Sequence, residues 1–404
     1  EKPKWIILDG DLDANWIESM NSVMDDNKML TLASNERIPL KHYMRMIFEI
    51  RDLKFATPAT VSRAGILYIS TDGGSQWRSI VGSWVRSKPQ DLFEDADREK
   101  IHDMFTSYLP ECLKYFASTL QGVVQFNDIS LASAVIRLLD TILTRAIVTD
   151  DAAFETSFVF CVIWGFGSVL TIGDDGTNYR EMFSTWFRSK FNKQVKIPSR
   201  DTIFDYWLDP RTSKFDTWKA SPAFSVVDFD SSIMNMAEVT VPTAETASVS
   251  FWLEKLIRAG SHVMLAGPAG TGKTALINGT LAKLSPDQQL HTSVAMNFYT
   301  SASILLTSLE APLQKRTGST FGPPGGAKMV YFVDDLNLPE VDKYGTQSAI
   351  ALLRQHIDYG HWYDQAKLSV KNVDDCHYVA ALNPTAGSFY VNPRLQRHFS
   401  TFAI

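Results

Sequence analysis

Gly267-Pro268-Ala269-Gly270-Thr271-Gly272-Lys273-Thr274 is the stretch that decides the reading of this chain. It fits the phosphate-loop pattern G-x-x-x-x-G-K-[ST] at every fixed position. His262-Val263-Met264-Leu265-Ala266 precedes it as an apolar strand, and Ala275-Leu276-Ile277-Asn278 continues it as a helix. The glycines let the backbone fold closely round phosphate oxygens with its amides pointing inward. The helix N-terminus adds favourable partial charge. Lys273 supplies a point charge at the terminal phosphates, and the Thr274 hydroxyl reaches Mg²⁺. Residues 267–274, with Ala275 behind them, are therefore the candidate nucleotide contacts: Gly267, Pro268, Ala269, Gly270, Thr271, Gly272, Lys273 and Thr274.

About 60 residues on, Lys328-Met329-Val330-Tyr331-Phe332-Val333-Asp334-Asp335 reads as a buried parallel strand ending in two acids. Asp334 is placed to hold Mg²⁺, directly or through water. Asp335 stands where a carboxylate would polarise an attacking water. Cys376-His377-Tyr378-Val379-Ala380-Ala381-Leu382-Asn383 is a further strand. Its terminal amide, Asn383, could touch the γ-phosphate or orient the water.

The rest of the composition is consistent with a globular protein able to bury large cores. The 404 residues give a prior of two or three domains. An apolar content of 45% with 21% charged residues excludes a disordered tail, a collagen-like rod and a coiled coil. Three separated cysteines, Cys112, Cys161 and Cys376, exclude a disulfide scaffold and a cysteine-rich zinc site. A net charge of −6 without long blocks of one sign argues against a nucleic-acid or anionic-membrane binder. The longest uncharged run, Thr156 to Gly173, holds three glycines, is flanked by acids and lacks a close basic anchor. It reads as a buried helix of a large domain rather than a membrane span. Residue 1 is not Met, and strand-like sequence lies close to both ends (Trp5-Ile6-Ile7-Leu8-Asp9-Gly10 and Phe399 to Ile404), so the chain reads as a piece of a longer polypeptide.

Along the chain, residues 1–75 read as α/β. A helix is expected at Trp16 to Met24, a hairpin at Leu30–Leu32 and Arg37–Leu40, and buried strands at Arg45–Ile50 and Gly65–Ile69. Residues 76–195 show helical periodicity throughout, as in Leu131, Val135, Leu138, Leu139 and Ile142. Residues 196–250 form a proline-containing connector with a strand-like piece at Thr202–Trp207. Residues 251–404 return to an α/β pattern, with strands near 262–266, 292–297, 329–333, 377–382 and 399–403.

Strand, phosphate loop, helix, acidic pair and a strand ending in Asn follow the order of an AAA+ ATPase. The segment Phe332-Val333-Asp334-Asp335-Leu336-Asn337-Leu338-Pro339-Glu340-Val341-Asp342-Lys343-Tyr344-Gly345-Thr346-Gln347 closely resembles the third ATPase module of dynein heavy chains. Arg354 to Asp364 and Asn383 to Phe389 resemble the axonemal branch, of outer-arm type. Trp5 to Gly10, Asp25 to Leu32 and Ala56-Thr57-Pro58-Ala59-Thr60-Val61-Ser62-Arg63 resemble the back half of the second module. The implied fold is a P-loop NTPase of AAA+ modules, each a parallel sheet flanked by helices, with an all-helical small subdomain between them. Asp9 and Asp334 would be equivalent positions, as would Glu49 and Asn383, and Arg63 and Arg397; one architecture is used twice at a period of about 330 residues.

In the first module Asp9 keeps its Mg²⁺ role, but Gly10 replaces the expected carboxylate, which implies a nucleotide held rather than turned over. In the second, Asp335 replaces the family's usual Glu and is shorter by one methylene, about 1.5 Å. Errors near 1 Å can cost on the order of 100-fold in rate, so slow hydrolysis and pure retention both stay open. Arg63 and Arg397 are the candidate arginine fingers, each facing the nucleotide of the preceding module. A structural ion pair is the alternative, and Arg394 competes with Arg397 for the role. Val241-Pro242-Thr243 would pack on adenine or serve as a linker. The basic stretch Arg188, Lys190, Lys193, Lys196 and Arg200 reads as a solvated face, and His356 with His361 lacks a metal-site constellation.

The resemblance implies ATP/ADP and Mg²⁺ as cofactors, and a regulatory section of a motor ring in ciliary or flagellar axonemes and cytoplasm. Its partners would be the neighbouring modules and linker of the same heavy chain, and other heavy, intermediate and light chains. Microtubules would be reached only indirectly; neither nucleic acid nor membrane is expected. A nucleotide-bound scaffold, or a section of another AAA+ remodelling ATPase, are the alternatives.

Overall fold

Chain contacts divide the molecule into two units, residues 1–72 with 341–346 and residues 73–340 with 347–404. The computed structural model describes residues 14–50, 52–53, 56–70, 74–224, 241–343, 345–385 and 391–404. The expected strand at Trp5–Gly10, with Asp9, lies outside the described residues.

In the first unit, helix α1 (Ala14–Met24) buries Ile17 and Val23. The hairpin of β1 (Met29–Thr31) and β2 (Arg37–Pro39) pairs Leu30 with Ile38. Helix α2 (Pro58–Arg63) opens on the Thr57 cap with proline in its first turn, where a missing N–H removes no helical bond. The Thr60 hydroxyl donates to Asn21 Oδ1 at 3.1 Å and so ties α2 to α1.

The strands expected at Arg45–Ile50 and Gly65–Ile69 are not formed. Both segments are irregular, and Ile47, Leu67, Tyr68 and Ile69 are 75–89% exposed. An inner strand of a parallel sheet needs neighbours to satisfy its N–H and C=O groups. No described strand pairs with either segment, so apolar patterning alone does not make them strands.

The second unit begins with six helices: α3 (Ser75–Ser87), α4 (Asp95–Thr119), α5 (Asp128–Ile142), α6 (Arg145–Thr149), α7 (Asp151–Gly167) and α8 (Tyr179–Phe191). Asn127, Asp150 and Asn178 cap α5, α7 and α8 by accepting from backbone amides of the first turn. The long uncharged run is largely α7, buried at every residue from 157 to 167. No described helix is long and apolar enough to cross a membrane. The basic stretch that begins in the last turn of α8 is more than a solvated face. Arg188 donates to the carbonyls of Pro198, Arg200 and Asp201, and Lys190 pairs with Glu111 at 2.8 Å.

The connector carries a short 3₁₀ turn at Ile203–Asp205, where a strand is expected from the sequence. The strand starts later, as β3 (Tyr206–Asp209), and pairs antiparallel with β4 (Lys214–Thr217). Thr202 and Asp205 form a reciprocal capping box that stabilises the turn against extension.

Then come α9 (Ala244–Arg258), β5 (His262–Ala266), α10 (Lys273–Leu281), β6 (Gln289–Ala295) and α11 (Ala302–Glu310). They are followed by β7 (Gln314–Lys315), β8 (Thr320–Gly322), β9 (Lys328–Asp334), α12 (Ser348–Tyr359), β10 (His361–Tyr363), β11 (Val370–Val373), β12 (Cys376–Leu382), α13 (Pro393–Gln396) and β13 (Phe399–Ala403). Five strands form a parallel sheet in the order β13-β5-β12-β9-β6. A smaller sheet, β10-β11-β8-β7, lies apart from it in the hydrogen-bond pattern.

The helical part and the main sheet share one core. Trp164 of α7, Trp218 and Trp252 of α9 are fully buried together, with Phe402 of β13 against Trp164. Polar bonds tie the same two parts. Arg137 of α5 donates to Ser400 Oγ at 2.9 Å, to Phe399 O at 3.0 Å and to Arg397 O at 3.2 Å. Arg180 of α8 donates to Ala403 O, and Ser168 exchanges bonds with Thr401 and Ala403. Edge strand β13 therefore has its outer side covered by helices, which protects its unpaired edge.

Candidate nucleotide site

Strand order creates the site. β5, β12 and β9 are consecutive neighbours running the same way, so their C-terminal ends line up. The phosphate loop leaves β5, Asn383 leaves β12, and Asp334 and Asp335 leave β9. A crevice beyond the carboxyl ends of parallel strands is where α/β sheets bind ligands.

The loop's glycines serve two needs. A β-carbon on Gly267 would overlap the carbonyl oxygen of Ile404, because β13 runs tightly beside β5. Gly270 and Gly272 have φ of 82° and 86°, left-handed conformations that strain any other residue. Gly272 is also the N-cap of α10, so its conformation aims the first amides of that helix.

Lys273 Nζ donates to Gly267 O at 2.8 Å and Pro268 O at 2.6 Å, and Thr271 Oγ1 donates to Pro268 O at 3.1 Å. The ammonium thus sits inside the curve of the loop. Burial lowers its pKa, while Asp334 and Asp335 act in the opposite direction.

The Thr274 hydroxyl donates to Asp334 Oδ2 at 3.0 Å. Sixty residues separate the two in sequence, and here a hydroxyl and a carboxylate oxygen converge. They are hard oxygen donors, of the kind Mg²⁺ takes while keeping several waters. The donor set fits that ion. The other Asp334 oxygen accepts from the Asp335 amide at 3.1 Å, which fixes the carboxylate.

Asp335 is exposed and has φ of 56°, an uncommon left-handed conformation for a non-glycine residue. Desolvation and the adjacent Asp334 raise its carboxyl pKa, and Lys273 partly offsets them. Asn383 Oδ1 accepts from the Thr385 amide at 3.0 Å and its hydroxyl at 2.7 Å. This turns the amide oxygen back onto its own loop and leaves the NH₂ end as the group to offer a ligand.

Other candidates lie further out. Thr243 caps α9 in a reciprocal box with Thr246, and Val241 is 72% exposed. Arg180 bridges Glu245 in the first turn of α9 to Ala403, whose register partner is Ala266 just before the phosphate loop. The helix that Val241 and Pro242 lead into thus starts at the loop's edge of the sheet. Arg63 ends α2 and pairs with Asp25 at 2.6 Å. Arg397 follows α13 and pairs with Asp358 at 2.7 Å. Arg394, three residues before it, is exposed. Glu49 lies in irregular, exposed chain, so its expected place at a strand end is not realised. His356 is buried, with Nδ1 2.7 Å from Tyr378 Oη and Nε2 3.2 Å from Val373 O.

Sequence reasoning missed the residues that hold the acidic loop. Asn337 Nδ2 donates to Asn383 O at 2.9 Å and locks the loop after β9 to the end of β12. Gln347 Nε2 donates to Pro339 O at 2.7 Å. Both side chains are buried. The available signal was an amide between Leu336 and Leu338 directly after the acids, since buried polar groups need fixed partners.

Comparison with known proteins agrees with this geometry. The family described as "P-loop containing dynein motor region" matches residues 230–404, and "Dynein heavy chain AAA lid domain" matches residues 101–220. The chain is 47% identical over 407 residues to dynein axonemal heavy chain 9 of Homo sapiens, covering 100% of this chain and 9% of that protein. It is 46% identical to dynein axonemal heavy chain 17 of Mus musculus over 410 residues, and 44% identical to the dynein alpha chain, flagellar outer arm, of Chlamydomonas reinhardtii over 415, with the same coverage of 100% and 9%. The chain thus spans about 9% of the length of the curated relatives it matches. Its parallel sheet, phosphate loop, acidic strand and helical lid, with family matches over 101–220 and 230–404, make it a member of the dynein heavy-chain family.

Proposed function

We propose that this chain is an ATP-binding regulatory section of a dynein motor ring, whose nucleotide state gates microtubule-based ciliary or flagellar movement. The observation that carries it is the 3.0 Å bond from Thr274 to Asp334, with Lys273 inside the adjacent loop. A charge, a hydroxyl and a carboxylate grouped in this way support the binding of a Mg-nucleotide. Residues 267–275 bind the phosphates of ATP or ADP, Val241 and Pro242 pack on the base, and Thr274 with Asp334 hold Mg²⁺, directly or through water. Bound Mg²⁺ neutralises charge on the phosphates. Asp335 and Asn383 orient water, and the short Asp335 side chain makes hydrolysis slow, as suits a gate. Asp9 holds the ion of the preceding module, which retains its nucleotide. Arg63 and Arg397 are offered to nucleotides outside their own modules.

Names of the relatives (axonemal, ciliary, flagellar outer arm) support an axonemal setting. The partners are the neighbouring modules and linker of the same heavy chain, and other heavy, intermediate and light chains, with microtubules contacted elsewhere in the heavy chain. Lys273→Ala in the full-length heavy chain tests the reading. It is expected to remove one bound nucleotide per chain and slow microtubule gliding severalfold. Unchanged stoichiometry refutes the site, and lost nucleotide with unchanged velocity refutes the gating role. A nucleotide-bound scaffold gives no product at this site in single-turnover experiments.

A further inference from the structure

We infer that Asp358 is the positioning residue for Arg397, fixing the guanidinium from the far end of the helix that follows the acidic loop. The inference rests on the reading of Arg397 as a cation offered to a nucleotide outside its own module.

Asp358 is the penultimate residue of α12, and its side chain is 13% exposed. One carboxylate oxygen accepts from Arg397 Nη2 at 2.7 Å and lies 2.8 Å from His398 Nε2. The other lies 4.0 Å from Arg354 Nε. Three potential cations thus converge on one nearly buried acid, whereas the Arg397 side chain is 48% exposed. The arrangement is asymmetric: the anion is enclosed and the cation faces outward. An ion pair that served stability alone would gain little from such an exposed partner. One guanidinium nitrogen is committed to Asp358, and the planar fork keeps other donors for a phosphate.

The backbone of Arg397 is fixed separately. Its carbonyl accepts from Arg137 Nη1 of the helical lid at 3.2 Å, and its amide donates to Pro393 O at 3.1 Å. With the backbone held, side-chain torsions are what Asp358 can set. Fixing them in advance matters because a misplacement near 1 Å can cost on the order of 100-fold.

At its other end α12 starts beside Gln347, which donates to Pro339 O in the loop after Asp335. The helix is one element about 18 Å long between the acidic loop and the Arg397 anchor. Asp358 therefore sits where a shift at the module's own site would be passed to the outward-facing cation.

The test uses full-length heavy chain and follows release of fluorescently labelled ADP by chase, with thermal melting as a control for folding. Arg397→Ala is expected to speed one slow release phase at least tenfold. Asp358→Asn should speed the same phase about threefold to tenfold, the double variant should match Arg397→Ala alone, and Asp358→Glu should restore at least half of the effect. Independent, multiplying effects of the two changes, or an Asp358→Asn protein that melts earlier with release unchanged, would overturn the positioning role. If Arg397→Ala leaves every release phase unchanged, the reading of Arg397 fails first, and this inference with it.

Discussion

Replacing Gly272 with alanine separates backbone conformation from every other property of the phosphate loop. Gly272 sits at φ 86°, ψ 11°, and no heavy atom lies within 4 Å of where its β-carbon would be. The substitution therefore meets no steric wall; its whole effect is the strain of a left-handed alanine, about 1–2 kcal/mol. If the loop keeps its shape only when nucleotide is bound, that strain appears in the binding energy as roughly a 5–30-fold weaker Kd. Gly279 is the matched control. It lies inside the same helix, α10, and is equally open around its β-carbon, but has no positive φ. Gly279→Ala should leave affinity unchanged and stabilise the helix by about 0.5–1 kcal/mol. Equilibrium dialysis of labelled ATP against heavy chain, with the Lys273→Ala protein as baseline, isolates this site. Wild-type affinity in Gly272→Ala, or equal losses in the two variants, would refute the view that the left-handed N-cap aims the phosphate-binding amides.

Two further outcomes follow from the packing. Arg137 is half-buried, its pKa pushed down to about 10 by desolvation, and it serves two acceptors in β13 and one just before it. Arg137→Leu should leave those acceptors unpaired and cost on the order of 3–5 kcal/mol; hydrogen exchange should show lost protection at residues 399–403, and unchanged protection would refute the tie between lid and sheet. Burial also depresses the His377 pKa from 6.5 to about 4. The unfolded chain then takes up this proton first as pH falls, so stability is full above pH 6.5, declines below it and levels off near pH 4. The depression corresponds to roughly 3 kcal/mol. His377→Leu should remove that share of acid sensitivity in melts taken between pH 7 and 4, although His262 and His356 are depressed in the same direction and keep theirs. Identical pH profiles for the two proteins would refute the assignment.

Much of the candidate site is legible from residue order because its parts are local. A phosphate loop is a contiguous backbone shape, and each acid or amide at a strand end is announced by the apolar run before it. The five strands of the main sheet, the buried helix α7 and the hairpin at 29–39 follow from period and turn chemistry in the same way. Segments whose structure depends on a neighbour are less legible. Arg45–Ile50 and Gly65–Ile69 carry strand patterns as good as β9, yet no described strand pairs with them and they remain irregular. The small sheet β10-β11-β8-β7 and helix α11 were also not anticipated; their strands are two to four residues long, too short for alternation to register.

By itself, then, the sequence determined that a P-loop nucleotide fold is present, which residues are the candidates to cradle phosphate, and where the lid begins to be helical. Those follow from short-range backbone preference and burial pattern. Only tertiary structure decided that Thr274 meets Asp334, that Asn337 and Gln347 pin the acidic loop, that Arg137 ties the lid to β13, and that Arg397 rests on Asp358. Each of these is a polar contact between side chains or strand ends far apart in sequence. Strand order in the parallel sheet brings such groups together, and no local pattern specifies that order.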